Sequence, residues 1–137
     1  MQTLTCIELH TDSDGYARFR EKSISLPEGD AVTALSALLP ATGCQWRQSA
    51  PGFASDFHCT SSPQWTIILK GRMEIFLRDG SSRVFAAGDF FYSNDIVPAG
   101  ARFDPEVHGH RSRQLGDEPL VTLFLKSGSL ATENGRQ

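Results

Sequence analysis

The sequence predicts an all-β domain, a two-layered sandwich or barrel with strands and one short helix ahead of it. Two observations predict it. Glycine and proline cut the chain into short pieces, from Pro27 and Gly29 through Gly71, Gly80 and Gly88 to Gly116 and Pro119. Short apolar runs between regularly spaced turn signals are the mark of a sandwich or barrel. The last such run, Leu120 to Leu125, is apolar on both faces, which suits a strand lying between packed layers.

Taken in order, residues 4–9 and 16–26 read as two early strands. Residues 31–39 read as the helix: Asp30 stands at its N-cap, Val32, Leu35 and Leu38 recur at helical spacing, and Pro40 ends it. Residues 44–49 form the next strand. Trp65 to Gly80 is the clearest unit, rich in β-branched and aromatic residues, divided by Gly71 and closed by the turn pair Asp79-Gly80. Along it Glu74 and Phe76 share one face, and Met73, Ile75 and Leu77 the other, so one set faces inward. Strands at 83–86, 90–93 and 120–125 follow, and the tail after Ser127 is polar and reads as a frayed end.

A chain of 137 residues is one domain's worth, and 39% hydrophobic against 21% charged residues excludes a disordered chain. Net charge is −3 and the densest basic cluster is Arg111 with Arg113, too little for a phosphate track, so no nucleic-acid partner is expected. The longest uncharged stretch, 31–46, is broken by Pro40 and Gly43 and is no membrane span. No basic residue precedes Arg18, so no signal peptide is expected. Cys6, Cys44 and Cys59 share no metal-type spacing and read as free thiols of a cytoplasmic protein. No Gly-x-Ser-x-Gly elbow, phosphate loop or dinucleotide fingerprint is present.

The histidines carry the functional signal. His58 precedes the strongest strand, and His108 and His110 precede the last one. Strands that distant in sequence can face each other across one barrel cavity, and imidazole is the commonest metal ligand. The spacing runs Gly52, five residues, His58, one residue, Thr60, three residues, Gln64, six residues, Gly71. This resembles the first motif of the cupin family, G-x5-H-x-H-x3-E-x6-G, with Thr60 at the second His and Gln64 at the Glu. Gly88-Asp89 resembles the start of the second motif, and His110 supplies its His after an apparent insertion over 96–106. The resemblance is to small single-domain bacterial cupins of the RmlC-like superfamily.

That resemblance implies a double-stranded β-helix, a jelly-roll barrel, with its core at about 45–126, N-terminal strands and helix over 1–44 and the tail over 127–137 of a single domain. It implies a cavity bound to a small polar or acidic molecule through His58, Thr60, Gln64, His110 and Arg113. It also implies a divalent metal on His58, Gln64 and His110, with His108 as a further donor. Thr60 and Gln64 weaken that metal site, because one imidazole and one negative charge are gone, so binding of the metal is expected to be weak. Two function classes follow: a binding protein with metal optional, or a metal-dependent isomerase, dioxygenase or decarboxylase acting on a small acid or sugar-like substrate. Small cupins commonly dimerise, and the early strands would expose edges if left unpaired, so a homodimer is expected. Each residue also has a plainer reading. His58 and His110 would bond neighbours, His108 would lie on an exposed loop, and Arg113 would be a rim charge paired with Asp117 or Glu118.

Overall fold

The computed structural model describes residues 2–128, so the polar tail expected over 127–137 lies outside the described residues except for Ser127 and Gly128. Among the described residues eleven strands form: β1 Gln2–Thr11, β2 Ala17–Leu26, β3 Glu28–Gly29, β4 Ala34–Leu35, β5 Gly43–Ser49, β6 Gln64–Lys70, β7 Arg72–Phe76, β8 Ser82–Ala86, β9 Phe90–Asn94, β10 Arg111–Leu115 and β11 Leu120–Lys126. The larger sheet runs β2-β1-β9-β6-β11-β5, and the smaller runs β10-β7-β8. The larger sheet is mixed, since β1 pairs in parallel with β9 while the other pairings are antiparallel. The all-β expectation therefore holds. Hydrogen bonding does not close the sheets into one barrel: β2 and β5 edge the larger sheet, β10 and β8 the smaller.

The sheets pack face to face around one core. Leu9, Ile68, Phe91 and Leu120 come from the larger sheet, and Met73, Ile75, Leu77 and Phe85 from the smaller strands and the turn between them. Strand alternation decides this, and it settles the 73–77 question: Met73, Ile75 and Leu77 face inward, leaving Phe76 outward. Gly71 separates β6 from β7 at φ +79°, and a Cβ there would stand 2.7 Å from the Pro119 carbonyl oxygen, so only glycine lets the two segments approach.

The helix expected over 31–39 does not form. Asp30 behaves as the cap signal suggests, with Oδ1 accepting from the Val32 and Thr33 amides at 2.9 Å each. The Asp30 amide, however, donates to the Thr33 carbonyl, and Glu28 and Gly29 pair with Leu35 and Ala34 in a two-residue hairpin. The apolar stripe has nothing to pack against, with Val32 93% and Leu38 97% exposed, and a helix this short draws its stability from packing rather than from propensity. The segment instead runs along the outer face of the larger sheet, where Leu39 joins Cys6, Ile24, Trp65 and Tyr92 in a second apolar cluster.

Candidate functional site

Between the two sheets, bordering the core at Met73, Ile75 and Phe91, lies a cavity of about 260 Å³. Its floor is apolar, from Met73, Ile75, Phe91 and Phe124, and its walls are polar. Register explains the composition. Gln64 and Thr66 of β6 lie opposite Lys126 and Phe124 of β11 and opposite Ser93 and Phe91 of β9, so one alternating face of three strands presents polar groups at one end and rings at the other. On the far side of β11, Gln45 and Arg47 of β5 share that face.

The opposing wall is irregular. Residues 53–58 run antiparallel along the free edge of β10, bonded through Ser55 to Ser112 and through Phe53 to Gln114. The run ends in an isolated bridge in which His58 and His110 exchange both backbone hydrogen bonds at 2.9 Å. Gly109 makes that closeness possible: at φ +95°, its position would set a Cβ within 2.8 Å of the His58 carbonyl oxygen. The two imidazoles consequently stand with centroids 4.7 Å apart.

Their ring nitrogens are committed in the same sense. His110 Nδ1 lies 2.8 Å from Asp95 Oδ2, and His58 Nδ1 lies 2.9 Å from the Asp56 carbonyl. A carboxylate and a carbonyl only accept, so both histidines carry hydrogen on Nδ1 and keep Nε2 as an acceptor or base. Asp95 is fully buried behind His110, and its second oxygen accepts from the Thr11 hydroxyl at 2.8 Å. His58 retains an open face to solvent, while crowding by its surroundings pushes its pKa down, first through loss of hydration and then through the nearby His110 and Arg47.

His58, Thr60, Gln64 and His110 therefore meet at one cavity. Thr60 is tied down there, its hydroxyl 2.7 Å from the Ser93 hydroxyl and its amide donating to the Asp95 carbonyl. Gln64 Oε1 accepts from Lys126 Nζ at 3.2 Å. His108 is placed elsewhere: the turn at Gly109 breaks the alternation that would have aligned it with His110, and its Nδ1 accepts from the Asp104 amide. Arg113 also stands outside the cavity, on the other face of β10, with its guanidinium 2.6–2.7 Å from Glu74 rather than near Asp117 or Glu118. Among the described residues, no group of three or more His, Cys, Asp or Glu is placed to hold a metal. Two imidazoles and an amide oxygen already engaged by a lysine do not match the full donor set of the motif.

Two residues that line the cavity and one that stands behind it escaped the sequence reading. Arg47 shares strand parity with Gln45, and Lys126 with Phe124, on strands that read simply as β-structure, and that parity was the available signal. Asp95 follows Ser93 and Asn94 at a strand end, where an aspartate reads as a turn residue. Arg47 is the most exposed to consequence. Its Nε is buried without a hydrogen-bond partner, one terminal nitrogen lies 3.9 Å from the Met73 sulfur, and the rings of Phe53 and Phe124 flank the guanidinium. Burial pushes its pKa down.

No protein-family model matches the chain, and no curated protein matches it. Among solved structures it is similar to protein NMB1881 from Neisseria meningitidis, at 15% identity and a TM-score of 0.42, over 61% of this chain and 72% of that one.

Proposed function

We propose that this chain is a cupin-type jelly-roll protein whose interior cavity binds a small polar or acidic molecule, with a metal ion optional. The observation that carries the reading is the convergence of His58, Thr60, Gln64 and His110 on one 260 Å³ cavity. The motif cadence joined these positions in sequence, and an apolar floor with a few convergent polar groups is the usual make-up of a small-molecule site. At ~30 Å³ per water, the space holds the equivalent of roughly nine waters, which suits a metabolite of a few carbons.

In this reading His58 and His110 present Nε2 acceptors to ligand hydroxyl or amine groups. Asp95 and the Asp56 carbonyl fix their tautomers, a positioning role that keeps both lone pairs on the same side of the exchange. Thermal melting with a panel of small carboxylates and polyols tests it. Binding raises Tm, and His110→Ala removes the rise. A panel without effect on the wild-type protein overturns the reading.

The adjacency of the two rings favours a second reading, a metal-dependent enzyme acting on a small acid or sugar-like substrate. It requires a third protein donor, since catalytic metal sites normally have three. Stoichiometric, chelator-resistant metal in protein purified without a histidine tag would move this reading to first place.

A further inference from the structure

The charge of the cavity is unbalanced. Two of its lining side chains, Arg47 and Lys126, are cations, and no carboxylate lines it. Asp95, behind His110, is fully buried and turned to His110 and Thr11. Among the described residues Arg47 makes no ion pair, and its buried Nε has no hydrogen-bond partner at all. Lys126 is less demanding, because it donates to Ser62 and Gln64.

Arg47 is half-buried, so its guanidinium is stripped of part of its hydration without gaining a partner, which is costly. The chain supplies no partner, yet it shapes the place for one. Phe53 and Phe124 flank the guanidinium and Met73 lies against one terminal nitrogen, which holds the fork in one orientation. Arg47 lies opposite Thr122 and Lys126 is four residues further along β11, roughly 13 Å of strand, so the two cations mark opposite ends of the space rather than one doubly charged pocket.

We propose that the cavity ligand is a small carboxylate, with its carboxylate seated on the Arg47 fork. This rests on the cavity reading above and narrows its ligand class. The guanidinium fork bonds carboxylate and phosphate alike, but its single charge matches a monoanion, and that charge balance favours carboxylate over phosphate. The remainder of the molecule then lies over Phe91, Ile75 and Phe124 toward the two imidazoles.

The test is an NMR titration of the full ¹⁵N-labelled chain, following Arg47 Nε–H and the backbone amides of Thr60 and His110. The probes are glycolate, its uncharged counterpart glycolamide, and inorganic phosphate. Glycolate is expected to shift all three signals saturably, and glycolamide and phosphate to bind at least about tenfold more weakly, the loss of one charge-assisted pairing. Arg47→Gln is expected to weaken glycolate by about tenfold or more and bring it level with glycolamide. Should that variant not fold, the comparison of glycolate with glycolamide on the wild-type chain decides alone. If glycolamide or phosphate binds the cavity as tightly as glycolate, the carboxylate inference is overturned while the cavity reading stands. If none of the probes moves Thr60, His110 or Arg47, both are overturned.

Discussion

Replacing Asp95 by alanine removes the one acceptor of His110 Nδ1 and one of two acceptors available to the Thr11 hydroxyl. The hydroxyl can turn fully to the Ile96 carbonyl at 3.0 Å, so Thr11 loses little. His110 has no such alternative. It is 4% exposed, and its N–H is left buried and unpaired. A hydrogen bond to a charged group contributes about 1.5–3 kcal/mol and an orphaned buried donor costs about 1–3 kcal/mol, overlapping quantities that together suggest a loss of about 3–4 kcal/mol. Unfolding entropy of ~2.1 cal/mol/K per residue over 137 residues gives ~0.29 kcal/mol/K, so Tm should fall by about 10–14 °C. Asp95→Asn is the discriminating control. Its oxygen still accepts from His110, and its NH₂ donates to Thr11 Oγ1, which has a lone pair to spare beside the Ile96 amide it already serves. That variant should lose only about 1 kcal/mol, or 3–4 °C. Calorimetric melting of both variants reads the difference. Alanine and asparagine variants that melt within 3 °C of each other would refute the account of Asp95 as the fixed partner of His110.

Four further outcomes are expected. Because the folded-state pKa of His58 lies below its ordinary value, the unfolded chain binds a proton first, and stability should decline as pH falls below about 6.5. The open face of the ring keeps that slope shallow, and His58→Gln should reduce it in urea titrations at stepped pH, with His10, whose pKa burial also pushes down, supplying the remainder; an unchanged slope counts against the assignment. Burial pushes the Cys6 and Cys59 thiols up to about 11, so at pH 8 a thiol reagent should label exposed Cys44 first, and equal labelling of Cys59 would contradict the packing around it. Metal in tag-free protein should be substoichiometric by elemental analysis, lost in His110→Ala and strengthened in Gln64→Glu, although Lys126 will compete for the new carboxylate. Val32, Leu38 and Trp46 are 71–97% exposed and Leu4 and Leu35 about half exposed, large apolar side chains of the kind that a partner surface covers. Sedimentation should therefore find a dimer joined through the outer face of the larger sheet, and Leu38→Ser with Trp46→Ser should shift it toward monomer.

Short-range signals served the sequence reading well where one strand decides its own fate. Alternation and turn residues located β6, β7, β8, β9 and β11 to within a residue or so, and the resemblance to the cupin motif grouped His58, Thr60, Gln64 and His110, which line one cavity. The failures came where the outcome depends on what lies opposite. Val32, Leu35 and Leu38 have the period of a helix, but no surface receives their stripe, and the Asp30 cap closes a turn instead. The edges expected of both early strands reduce to one, because β1 is claimed on its second side by β9, more than 80 residues away. His108 and His110 have the spacing of strand neighbours, and the left-handed backbone of Gly109 sends them apart. Arg113 found Glu74 across a strand pair that its local sequence does not foretell.

The paired histidines sit on either side of the seam between residues 53–58 and β10, which four backbone hydrogen bonds hold shut, two of them between the histidines themselves. Everything they present to the cavity depends on that seam. If residues 53–58 peel away from β10, the rings separate, His58 moves with Asp56 as one piece, and His110 stays behind, moored to Asp95. The opening of the cavity wall and the dismantling of its recognition pair are then a single event. Ligand residence time would be set by how often the seam parts, and a methyl group at position 109 would wedge it open without touching either imidazole.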